Sequence, residues 1–175
     1  MRCPRRSDHL LRLLTVLTVA SGGCATAAPD QLRAAAGGVL DGWHQAAARA
    51  DEEAYFGQFH PTGVFLGTDP TERWDVAAFR AYAHPYFKKG KAWTFRAVRR
   101  TIVLSEDGQT AWFDEDLATQ NLGPARGSGV LVLLRQSGPG GPRWQIAQYN
   151  LSIPIPNGRF DEVKRLLAAP PPLAK

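Results

Sequence analysis

From residue 31 to 50 the apolar side chains recur at Leu32, Ala36, Val39, Leu40, Trp43 and Ala47, the three-and-four spacing of a helix with one buried face. Asp30 stands where that helix would take its N-cap. A second, short helix is predicted over residues 51–59, with Asp51 as cap and Glu52 and Glu53 at the positive end of the helix dipole. His60, Pro61, Thr62 and Gly63 end it, and residues 64–66 read as a short strand. After the turn Gly67-Thr68-Asp69-Pro70, residues 72–74 can pair back on that strand.

Asp75 then caps a third helix over residues 76–87, with Phe79, Tyr82, Ala83 and Tyr86 at helical spacing. Pro85 is expected to kink this helix or end it a turn early, with Gly90 at its exit. Four longer strands follow at residues 93–104, 110–120, 127–135 and 143–153. Their connections are short and rich in Gly, Pro and Asp, as an antiparallel meander requires. Pro154 and Pro156 stop the last strand, and a brief helix at 159–167 precedes a Pro-rich tail, residues 169–175. Helices first and a meander afterwards make an α+β domain with the helices on one face of the sheet.

The 175 residues, 44% hydrophobic, are enough for one domain with a proper core. That domain is expected over residues 31–168, because residues 1–27 have the layout of an export signal: Arg2, Arg5 and Arg6, a short apolar run from Leu13 to Ala20, then small residues. The run is too short to remain as a membrane anchor. Two endings compete. Ser21-Gly22-Gly23-Cys24 resembles a lipoprotein signal, which would make Cys24 a lipidated first residue and tether the protein to a membrane of the cell envelope. Plain cleavage after Ala27 would release it instead.

Removing the four Arg and one Asp of the first 23 residues reduces the formal charge from +5 to +2, so no nucleic-acid partner is expected. The chain's two Cys, Cys3 and Cys24, both fall in the leader, so the domain carries neither a disulfide nor a Cys-ligated metal. His44, His60 and His84 lack metal-ligand spacing. No phosphate loop, dinucleotide fingerprint or nucleophile elbow is present, and no cofactor is expected.

The segments VLDGWHQAAARADEEAYFGQFHPTGVFLGTD, TERW, AWFDE, RGSGVLVLL and WQIAQYNLSIPIPN, in this order of elements, resemble the nuclear transport factor 2-like superfamily and its SnoaL-like branch over residues 31–167. The resemblance implies a curved sheet whose concave face and covering helices enclose a conical cavity, and a homodimer through the other sheet face. It does not imply one activity, because the superfamily spans isomerases, dehydratases, cyclases and binding modules. It also implies that the last strand points polar side chains into the cavity at Asn150. Gln148 shares that face, and the same argument places Trp112 and Asp114 in the cavity and turns Glu115 away.

On this reading Asp114 is the candidate general base, and pairing with Arg or Lys is the structural alternative. Glu115 is the second candidate, since a bulge would exchange the two. Arg126, placed opposite Gln120, would neutralise Asp114 or Asp116 or bind a substrate carboxylate. Trp43, Trp74, Tyr82 and Tyr86 complete the expected aromatic wall, suited to a small apolar or aromatic ligand. His44 either faces the cavity or has a surface or helix-packing role. With one cavity acid and no recognisable acid-base pair, the favoured reading is an exported, non-catalytic binding or accessory module. The alternative is a small isomerase, dehydratase or cyclase working through Asp114.

Overall fold

The computed structural model describes residues 28–134 and 143–168. The segments expected to be an export signal, residues 1–27 with Cys24, and a tail, residues 169–175, lie outside the described residues.

Helix α1 (Pro29–Ala48) starts earlier than expected, with Ala28 at the N-cap position and Pro29 in the first turn. Proline suits that place because its missing N–H would have had no partner there. Asp30 is therefore inside the first turn, where its carboxylate accepts from Arg33 at 2.9 Å. Asp51 caps α2 (Glu52–Phe56), accepting from the Ala54 amide at 3.0 Å.

This helix is shorter than expected because strand β1 (Phe59–Leu66) already begins at Phe59, which is buried and pairs with Ile146. Pro61 cannot donate to a ladder, and the register shifts between Phe59 and Val64 before pairing resumes. β2 (Arg73–Asp75) folds back antiparallel on β1.

Asp75 accepts from the Ala78 amide at 2.8 Å and opens α3 (Val76–Lys88). The helix runs through Pro85 instead of stopping before it. Phe79, Ala83 and Phe87 form its buried face while Pro85 is exposed, so packing of Phe87 retains the last turn despite the missing donor. Gly90, at φ 69°, takes the left-handed conformation just past the helix end.

The meander is β3 (Phe95–Leu104), β4 (Thr110–Thr119), β5 (Ala125–Leu134) and β6 (Arg143–Ser152). The curved, unclosed six-stranded sheet has the order β2-β1-β6-β5-β4-β3, with β1 joined to β6 in parallel. α1 packs on β3 and β6, and α3 covers β1 and β2, so the fold is α+β as expected. The core lies between these helices and the inner sheet face, around Leu40, Trp43, Tyr55, Phe79, Ile146 and Tyr149. Beyond a short turn, α4 (Phe160–Ala168) has no buried residue. Among the described residues no helix is long and apolar enough to cross a membrane.

Candidate functional site

The sheet's two faces are assigned by its register. Phe113, Gly129 and Tyr149 are aligned across β4, β5 and β6, as are Glu115, Gly127 and Leu151. Phe113, Glu115, Tyr149 and Leu151 are all buried, so these rows face the core. The alternate rows, Trp112–Val130–Gln148, Asp114–Ser128–Asn150 and Asp116–Arg126–Ser152, face outward.

This inverts the expected facing. Trp112 is 50% exposed, Asp114 and Gln148 are exposed, and Asn150 shares their outer face. Arg126 is on that outer face too, opposite Asp116 and not Gln120, with its Nε 3.9 Å from an Asp116 oxygen. Arg99 binds Asp116 more closely, at 2.7 Å. The cause is an irregularity in β6. Trp144 and Ile146 point inward, but the register shifts opposite Val130 and Leu131, so Tyr149 and Leu151 point inward beyond it. Because Asp114 is exposed and absent from the cavity, Asp114→Asn is expected to change stability by no more than about 0.5 kcal/mol. It should also leave ligand affinity unaltered, a pair of results that thermal denaturation and a binding titration would check.

The residue turned inward in place of Asp114 is Glu115, which is fully buried. Its Oε1 accepts from the Tyr149 hydroxyl at 2.8 Å and lies 2.7 Å from His44 Nε2. Its Oε2 accepts from Arg100 Nε at 2.7 Å. Burial opposes ionisation of Glu115, yet hydrogen bonding to His44 and the charge of Arg100 hold its carboxyl below the usual range. An ionised carboxylate can only accept, so His44 Nε2 carries the hydrogen of that bond. Burial and the same carboxylate push the Tyr149 phenol well above its usual value, which keeps it a donor. Arg100 also donates to Asp41 at 2.8 Å and to the Gly37 carbonyl at 3.2 Å, fastening α1 to β3.

Gly127 is required for this arrangement. A Cβ there would collide with the Tyr149 hydroxyl and with Glu115 Cγ. Gly127→Ala is expected to cost roughly 1–3 kcal/mol through overpacking. Chemical denaturation would check it, and a cost below about 0.5 kcal/mol would mean that the network adjusts without strain.

Next to the network is a cavity of about 280 Å³. Trp43, Phe65, Trp74, Phe79, Tyr82, Trp93 and Phe95 supply its aromatic wall, and Thr68, Glu72, Thr94, Gln120 and Asn121 are its polar side chains. Of the expected pocket residues, the structure brings Trp43, Trp74 and Tyr82 to this cavity. Tyr86, Trp112, Asp114, Arg126, Gln148 and Asn150 are not in its lining. Trp74 stacks on Tyr82 with centroids 4.6 Å apart, and Tyr86 lies beyond, 5.8 Å from Tyr82 and largely exposed.

Trp43 and Phe95 separate the cavity from the polar network. Their rings are 5.1 and 6.4 Å from the His44 ring, which is itself buried and outside the lining. Among the described residues, no three His, Cys, Asp or Glu side chains gather as a metal site.

The family model of the SnoaL-like domain matches residues 38–156. No curated protein matches the chain in sequence. Among solved structures, a candidate aromatic ring hydroxylase from Novosphingobium aromaticivorans is 17% identical, with 74% of this chain and 94% of that one covered and a TM-score of 0.59. A candidate dehydratase of the nuclear transport factor 2-like family from Streptomyces avermitilis is 15% identical, covering 74% and 100%, with a TM-score of 0.55. A nuclear transport factor 2-like protein of unknown function from Pseudomonas putida is 14% identical, covering 73% and 87%, with a TM-score of 0.53. At these identities the likeness is one of fold.

Proposed function

The chain belongs to the SnoaL-like domain family, and from that premise we propose that it is an exported, non-catalytic binding or accessory module whose cavity holds a small apolar or aromatic molecule. The carrying observation is the division between cavity and network. His44 and Tyr149 are each hydrogen-bonded to Glu115 behind the wall, while the cavity presents mainly aromatic surface with Glu72 as its carboxylate. A ligand in such a cavity gains affinity from apolar burial and from ring stacking.

Export is supported by the basic start, the short apolar run and the small-residue exit around Cys24. Self-association is supported by the outer sheet face, where Val103, Trp112 and Val130 form an adjoining apolar row in which Trp112 is half exposed. Trp112→Asp is expected to shift a dimer to monomer without lowering Tm, as read by sedimentation equilibrium. An unchanged mass would place any association elsewhere.

Native mass spectrometry of the protein drawn from its own membrane fraction tests the reading as a whole. The expected result is a dimer carrying a retained small molecule, with or without a lipid on Cys24. Recovery of an unmodified, ligand-free monomer from the cytoplasm would overturn the reading.

One observation favours a second reading, a small proton-transfer enzyme. His44 and Glu115 form a 2.7 Å pair behind Trp43 and Phe95, so the base in that case is this pair and not Asp114. Turnover of an enolisable or dehydratable substrate, abolished in a folded His44→Gln protein, would establish the enzyme and displace the binding module.

A further inference from the structure

Building on the binding-module reading, we propose that the cavity is specific for a cationic ligand, an alkylammonium or amine group on an apolar or aromatic body, held between the aromatic wall and the Glu72 carboxylate. The charges of the lining carry the argument. Among the described residues no Lys, Arg or His lines the cavity, and Glu72 is its one carboxylate. Among the described residues Glu72 forms no ion pair. The hydrogen bond its side chain accepts is a 3.2 Å contact from the Asp69 amide. A half-buried carboxylate with so little compensation disfavours an anionic ligand and leaves a neutral one indifferent. A cation satisfies it.

The aromatic wall acts in the same direction. Ring faces carry negative quadrupole density, and a desolvated ammonium over Trp or Tyr is attracted to it. Trp74 and Tyr82 stand together in the lining, and the Glu72 charge is close enough to join burial and Tyr86 in raising the Tyr82 phenol. The ligand's charged end thus meets a carboxylate and two electron-rich rings at one place.

The local sequence builds that place. The Gly67 amide donates to the Glu72 carbonyl at 2.8 Å, and the Glu72 amide to the Asp69 carbonyl at 3.0 Å, closing the β1–β2 turn. The Glu72 carboxylate then folds over Gly67, where any Cβ would collide with its Oε2. Gly67 therefore permits the carboxylate position, and Gly67→Ala would force it away.

The test is a titration of the full chain, followed by tryptophan fluorescence and calorimetry, with benzyltrimethylammonium and its neutral isostere 2,2-dimethylpropylbenzene. The cation is expected to bind about tenfold more tightly than the isostere. Glu72→Gln and, independently, Gly67→Ala should remove that preference while binding of the neutral probe persists. Equal affinity for the two probes, or an unchanged preference in Glu72→Gln, would overturn the cationic-ligand proposal and leave the binding module standing. Failure of both probes to bind the wild-type protein would overturn the module as well.

Discussion

Glu115→Gln is expected to cost about 3 kcal/mol of stability and to lower Tm by roughly 10 °C, because it removes one charge from a buried, hydrogen-bonded group. Arg100 would keep Asp41, but its Nε would lose an ionic partner, and the Gln amide cannot accept at both terminal atoms. Either His44 and Tyr149, which both approach Glu115 Oε1, or Arg100 must then face an N–H₂. An effect below about 1 kcal/mol would mean that the ion pair is worth no more than a surface one.

The same carboxylate sets a pH dependence with a definite sign. Burial opposes its ionisation, but His44 and Arg100 prevail and its folded pKa lies below the unfolded one. Its contribution is therefore complete above the ordinary carboxylate range and is lost as pH falls through the folded value. Denaturation midpoints measured across acid pH should decline for the wild type and run flatter for Glu115→Gln. Parallel declines in the two proteins would assign acid sensitivity to other carboxylates. Replacing both partners, as in Glu115→Leu with Arg100→Met, should cost less than the sum of the separate changes.

That Glu115 and not Asp114 holds this position was only partly legible in the sequence. Alternation separates the two acids correctly onto opposite faces but does not say which face is inner. An anchor on Asn150 chose wrongly, since the β6 irregularity breaks the parity between Ile146 and Tyr149. A second signal was present within β4 itself. Ala111, Phe113 and Leu117 share Glu115's face, whereas Trp112 is the one large apolar side chain beside Asp114 and Asp116. Counting apolar neighbours would have turned Glu115 inward as a buried charge and sent the search towards its partners.

Those partners come from distant places in the chain, His44 on α1 and Arg100 and Tyr149 on two strands, and no local spacing connects them. The helices and the meander were readable because their signals are local: period, caps at Asp51 and Asp75, and turn residues. Pro85 misled for the opposite reason. A local rule that ends helices was overridden by burial of Phe87 two residues later.

Trp43→Ala is expected to be the most damaging single truncation, at roughly 3–5 kcal/mol. The indole is 1% exposed and its ring meets Tyr149 at 4.4 Å, Tyr55 at 4.8 Å and Phe59 at 5.8 Å, joining α1 to α2, β1 and β6. Among the described residues its Nε1 has no hydrogen-bond partner, so the loss expected on truncation is one of packing. Trp43→Phe should therefore recover most of the loss, to within about 1.5 kcal/mol of wild type. Because Trp43 also stands between the cavity and His44, the Ala variant would merge its own void with the cavity and open a path to the Glu115 network. Calorimetric unfolding of both variants, with a ligand titration of the stable one, separates the two effects. A Trp43→Phe protein as unstable as Trp43→Ala would show that the indole's shape, and not aromatic packing in general, holds this junction together.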